Sequence, residues 1–87
     1  MPKEKPEVET FQVDVEFTDT FGGNANYSWV RRETLTLPVD ISDRELMRRA
    51  KAAMGLTGVR GTVCNHGDMI DFRPFRSCTV MFVTTVY

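Results

Sequence analysis

The stretch Ile41 to Leu56, "ISDRELMRRAKAAMGL", carries a helix start, an apolar arc and a helix stop in that order. Ser42 is the expected N-cap, because its hydroxyl can accept an amide hydrogen of the first turn, and Glu45 three residues on completes a capping box. Ile41 and Leu46 are placed to form the hydrophobic staple across that cap. Gly55 is the stop signal, since glycine tolerates the left-handed conformation that ends a helix, and Leu56 supplies the apolar contact of the cap. At about 100° per residue, Leu46, Met47, Ala50, Ala53 and Met54 fall on one arc, with Arg44, Arg48 and Lys51 on the opposite side. One face of this helix is suited to packing and the other is cationic.

Outward from the helix, both flanks read as strands. Phe11, Val13, Val15 and Phe17 alternate with Gln12, Asp14 and Glu16, the two-residue period of a strand with one wet face. "TDTFGGNAN", residues 18 to 26, follows as a hairpin loop around Gly22-Gly23. The next strand, from about Asn26 to Leu37, alternates badly, because Tyr27, Trp29, Leu35 and Leu37 share their parity with Arg31 and Glu33. A bulge near Val30 to Arg32 would restore the register, and Pro38, lacking an amide hydrogen, ends the pairing.

After the helix, "LTGVRGTVCN", "MIDFRP" and "CTVMFVTTVY" are three further strands by their β-branched and aromatic content, with Asn65-His66-Gly67-Asp68 as a turn. The last run is apolar on both parities, which calls for a central strand or a covered second face. The order is therefore β-β-α-β-β-β: an α+β fold of two layers, a mostly antiparallel sheet with one helix on one face. A single helix leaves the other face uncovered, and Met81, Val83 and Tyr87 are the expected dimer or partner face there.

The chain has 87 residues, 41% of them hydrophobic and 26% charged, which suits one soluble domain with room for one core. Residues 1 to 9 lack an apolar face and read as a mobile tail ahead of a domain spanning 10 to 87. "MPKEKPEVET" has no apolar signal-peptide region and no long apolar run follows, so no membrane association is expected and the expected compartment is cytoplasmic. The net charge of -1 excludes a globally basic nucleic-acid binder. The charge is uneven all the same: residues 1 to 19 are acidic on balance, and residues 31 to 60 hold seven basic against four acidic groups.

No constellation names a reaction. Cys64 and His66, two apart on an extended segment, point the same way, with Asp68, Asp71 and Cys78 as conceivable companions. No paired C-x2-C spacing occurs, and no group is evident to orient the imidazole for a Cys-His nucleophile. The reading is therefore no catalytic residue, no metal and no cofactor. Cys64 and Cys78 are taken as reduced, small core hydrophobes, and His66 and Asp68 as turn residues. Phosphate-binding glycine loops are absent.

The surplus lies in aromatic and cationic groups. Tyr27 and Trp29 beside Arg31 and Arg32, together with Arg44, Arg48 and Lys51, are the expected partner-binding residues, of types that carry energy at interfaces. The alternative is a single-stranded nucleic-acid-binding module, with rings stacking on bases and guanidinium groups on phosphates.

The succession "DTFGGNANYSWVRRE", "SDRELMRRAKAAMGLTGVR" and "GDMIDF", over about residues 18 to 72, resembles a family of short uncharacterised open reading frames of phages and mobile elements in Gram-negative bacteria. The resemblance implies a small accessory protein that binds and inhibits a larger host protein or nucleoprotein complex. Anti-CRISPR inhibitors are one such group, by analogy of size and role.

Overall fold

The computed structural model describes residues 9 to 86. The expected tail at residues 1 to 8, and Tyr87 of the expected partner face, lie outside the described residues. Glu9, assigned to the tail from sequence, holds a place in the fold: its carbonyl accepts the Val39 amide at 3.0 Å.

Five strands and one helix follow one another as β1 (Thr10–Phe21), β2 (Asn24–Pro38), α1 (Asp43–Ala53), β3 (Gly61–Asn65), β4 (Met69–Pro74) and β5 (Thr79–Val86). Every pairing is antiparallel, and the strands lie side by side in the order β2-β1-β5-β4-β3. This is a small α+β fold whose spatial order departs from chain order, because β5 enters between β1 and β4. Its central place matches its apolar residues on both parities.

The helix begins and ends as its sequence dictates. The Ser42 hydroxyl accepts the Glu45 amide at 3.1 Å. At the other end Gly55, with φ of 74°, lets the Leu56 amide reach the Lys51 carbonyl at 2.7 Å and the Gly55 amide reach that of Ala52 at 3.1 Å. These two bonds form a Schellman motif. Leu46, Met47, Ala50 and Met54 pack onto Val13, Val15, Leu37, Ile70, Phe72, Met81 and Val83, and the fully buried Ala50 permits a close approach of helix to sheet.

This packing corrects the expected partner face. Met81 and Val83 are 0% and 3% exposed and belong to the core under α1. The reason is register: Val83 pairs with Val15 and Met81 with Phe17, so both share the parity of the first strand's apolar side. The outer face instead presents Gln12, Asp14 and Glu16 opposite Val86, Thr84 and Phe82.

The expected bulge at Val30 to Arg32 is also displaced. Pairing runs without a break from Thr10↔Pro38 to Thr18↔Val30, then resumes at Thr20↔Ala25, so Asp19 alone stands opposite residues 26 to 29. The Gly22-Gly23 loop beyond it uses φ of 61° and 85°, the paired positive values of a tight hairpin. Arg31 keeps the helix-side parity, paired with Phe17, and escapes burial because it lies at the helix end, where its guanidinium donates to the Met54 carbonyl at 3.4 Å. A cation suits that helix end.

Gly61 marks a close approach of β3 to β4. A Cβ there would overlap the Arg73 carbonyl oxygen and stand 2.8 Å from Phe72 Cε1. Gly61→Ala is expected to cost about 1–3 kcal/mol as an overpacked site, read as a lowered urea midpoint. A midpoint equal to wild type would show that β3 is not held this tightly.

Candidate functional site

The sheet's long hairpin, β1-β2, presents three large aromatic side chains to solvent: Phe21 is 79% exposed, Tyr27 49% and Trp29 41%. Phe21 sits there because it is the last residue before the glycine loop, past the reach of the helix. The Trp29 ring meets that of Phe17 edge-to-face at 5.2 Å between centroids. Tyr27 takes a φ of 57°, rare for a side chain of this bulk. That turn carries its ring toward the outer face, where its hydroxyl donates to Glu16 at 2.7 Å.

Two neighbours on β1 sustain this irregular arm. The buried Thr18 hydroxyl accepts the Tyr27 amide at 3.1 Å and donates to the Trp29 carbonyl at 2.9 Å. The Asp19 carboxylate accepts from the Ser28 hydroxyl at 2.6 Å, the Ser28 amide at 2.9 Å and the Asn26 side-chain amide at 2.9 Å. Backbone groups that the bulge removes from the ladder thus find partners. The Ser28 and Asn26 side chains, with the Ser28 amide, hold the Asp19 carboxyl far below the ordinary carboxylate range. For Glu16, burial pushes the carboxyl up, but the bonds from Tyr27 and Arg32 outweigh it and leave it lowered. The same Glu16 bond raises the Tyr27 phenol.

The sequence-predicted contact residues do not converge on one surface. Tyr27, Trp29, Arg31 and Arg32 belong to edge strand β2, whereas Arg44, Arg48 and Lys51 gather with Thr57 and Gly58 around a hollow of about 220 Å³ on the far side of the helix. Lys51 reveals the direction, its ammonium lying 4.8 Å above the Phe72 ring of β4. The cations are also partly committed. Arg32 pairs with Glu16 at 2.8 Å, and Arg48 and Arg49 both hold Glu45, whose carboxyl they lower to about 2. A shallow groove of about 320 Å³ beside Tyr27 is lined by Asp14, Glu16, Met69, Phe82 and Thr84, an acidic border to the aromatic arm.

Cys64 and Cys78 are both exposed, which corrects their expected place in the core. They also lie at opposite ends of the sheet: Cys78 adjoins Thr20, whose amide it accepts at 2.8 Å, while the turn after Cys64 reaches Thr85 through the Asp68 carbonyl at 3.0 Å. Among the described residues, Cys64, His66 and Asp71 form the group whose donor atoms come together, all within 4.8 Å of one another, and Asp68 and Cys78 stay outside it. Asp71 orients the imidazole, with 3.0 Å between its Oδ2 and His66 Nε2. Sequence reasoning lacked the register that sets Cys64 opposite Asp71. It also passed over Phe21 and Asp19; their signals are an aromatic beside a Gly-Gly loop and an acid before one.

The chain matches no protein family, no curated protein and no solved structure among those with which it was compared. No helix among the described residues is long and apolar enough to cross a membrane.

Asp19 supplies a pH test of the arm. A lowered folded-state value means that its stabilisation is complete above the ordinary value of 3.8 and is lost as pH falls from there through the folded value. Emission from Trp29, the single tryptophan, is expected to change over that acid window. In Asp19→Asn the change should already be present at neutral pH and the window flat; a wild-type acid profile in the variant would remove Asp19 from this role.

Proposed function

We propose that this chain is a non-enzymatic binding protein whose β1-β2 hairpin docks onto a larger protein partner, with Phe21, Tyr27 and Trp29 as the contact aromatics. The observation that carries the reading is their joint exposure on one arm of a small domain, at 79%, 49% and 41%. Tyr27, tied through its hydroxyl to Glu16, and Trp29, set against Phe17, offer large rigid contact area at low entropic cost. Arg31 and Arg32 border them and suit the polar rim of an interface.

A protein partner is favoured over single-stranded nucleic acid by the local charge. Glu16 pairs with Arg32 and bonds Tyr27, Asp19 lies under residues 26 to 28, and Asp14 and Glu16 line the adjoining groove. Phosphates brought to this arm would meet carboxylates. The resemblance to phage and mobile-element proteins supports a more specific version, in which the partner is a host protein complex and binding inhibits it, as anti-CRISPR proteins do.

The test is affinity purification from bacterial lysate with quantitative mass spectrometry, comparing wild type with the Phe21→Ala/Trp29→Ala variant. A partner enriched by the wild type and lost at least about tenfold by the variant, corresponding to 1.4 kcal/mol, is the expected result. The variant should remain folded, since full burial, the condition for the roughly 3–5 kcal/mol cost of an aromatic deletion, applies to neither ring. Equal recovery by both proteins would overturn the assignment. Tight, salt-sensitive binding to single-stranded DNA or RNA would replace it with the nucleic-acid reading.

A further inference from the structure

A second feature, independent of the hairpin arm, stands on the outer face of β3 and β4. Cys64 lies directly opposite Asp71 in the antiparallel register, so both side chains leave the sheet on the same side. His66 follows Cys64 by two residues and keeps that side. The turn that carries it is pinned: the His66 amide donates to the Met69 carbonyl at 2.7 Å, and the Gly67 amide to Asn65 Oδ1 at 2.8 Å. Sheet geometry and a bonded turn, not chance proximity of loops, bring the three donors together.

We propose that Cys64, His66 and Asp71 form a Zn²⁺ site with three protein ligands and a fourth position open. One thiolate, one imidazole and one carboxylate make a mixed sulfur, nitrogen and oxygen set that suits zinc and is wrong for calcium or magnesium, which take oxygen alone. Bonds of roughly 2.0–2.3 Å in a tetrahedron set ligand atoms about 3.3–3.8 Å apart. His66 Nε2 and Asp71 Oδ2 already stand 3.0 Å apart, and the whole set lies within 4.8 Å, so a small rotation of exposed side chains closes it.

Burial separates this cluster from an ordinary turn. Asp71 is only 8% exposed, and among the described residues its carboxylate bonds to the side chain of His66 alone. A carboxylate withdrawn from water needs a compensating charge, which a divalent cation supplies. Cys64 and His66 are exposed, so an ion has access from solvent. The Cys64 thiol is exposed and lies outside the hydrophobic core. Zinc binding releases the Cys64 thiol proton to solvent and takes the lone pair of His66 Nε2, with the imidazole hydrogen on Nδ1, leaving the open position to water or to a donor atom of another molecule.

The experiment uses the reduced full chain, stripped of metal, titrated with Zn²⁺ by calorimetry and with Co²⁺ by absorption spectroscopy. One ion per chain is expected, with a near-ultraviolet thiolate-to-cobalt band that disappears in Cys64→Ser. Cys64→Ser, His66→Gln and Asp71→Asn should each weaken zinc by at least about tenfold, while Cys78→Ser binds as wild type. Cys64 and His66 are surface residues, so their variants decide the matter if Asp71→Asn fails to fold. Wild-type affinity no greater than that of Cys64→Ser/His66→Gln, or a cobalt spectrum without the thiolate band, would overturn the site.

Discussion

A central strand flanked on both sides must place its two apolar parities somewhere, and a single eleven-residue helix can cover only one of them. In this protein β5 sets Met81 and Val83 against α1, and that choice propagates through the sheet. Val13 and Val15 of β1, Ile70 and Phe72 of β4 and Leu37 of β2 follow onto the same face because antiparallel partners share a side. A one-residue slip would bring Asp14, Glu16, Asp71 and Thr84 under the helix, so the register is strongly determined. The outer face inherits what remains, which includes Asp14, Glu16, Asp71 and Cys64.

The helix also sets where the hairpin can escape the core. Beyond its C-terminal end, β1 and β2 continue without a covering layer, and alternation there has nothing to obey. The strands respond with the irregularity opposite Asp19, which bends β2 and turns Tyr27 across to the outer face. Bulges of this kind also blunt an exposed edge strand against indiscriminate pairing. What is left there is a set of exposed rings, Tyr27 held by its bond to Glu16 and Trp29 set against Phe17.

The opposite end of the sheet concentrates a different chemistry. There β3 and β4 form a short hairpin in which register alone sets a thiol across from a carboxylate, with an imidazole at the turn. The two candidate regions share no residue, so the proposed partner recognition by the aromatic arm and the proposed ion binding by the β3-β4 hairpin can be tested separately.

Much of the architecture was legible residue by residue. Ser42 and Gly55 announced the helix ends, the alternation of Phe11 to Phe17 announced β1, and Gly22-Gly23 announced the tight hairpin, because caps, alternation and positive φ are local demands of the backbone. The displaced bulge and the burial of Met81, Val83 and the Cys64-Asp71 pairing were not legible, because each depends on which strand lies beside which. On its own, then, the sequence determined the secondary elements and the amphipathic face of the helix. Only the tertiary structure decided which parity of β5 met that face, which aromatics were left in water and which donors met across β3 and β4, since cross-strand register is a relation between distant segments that neither segment encodes alone.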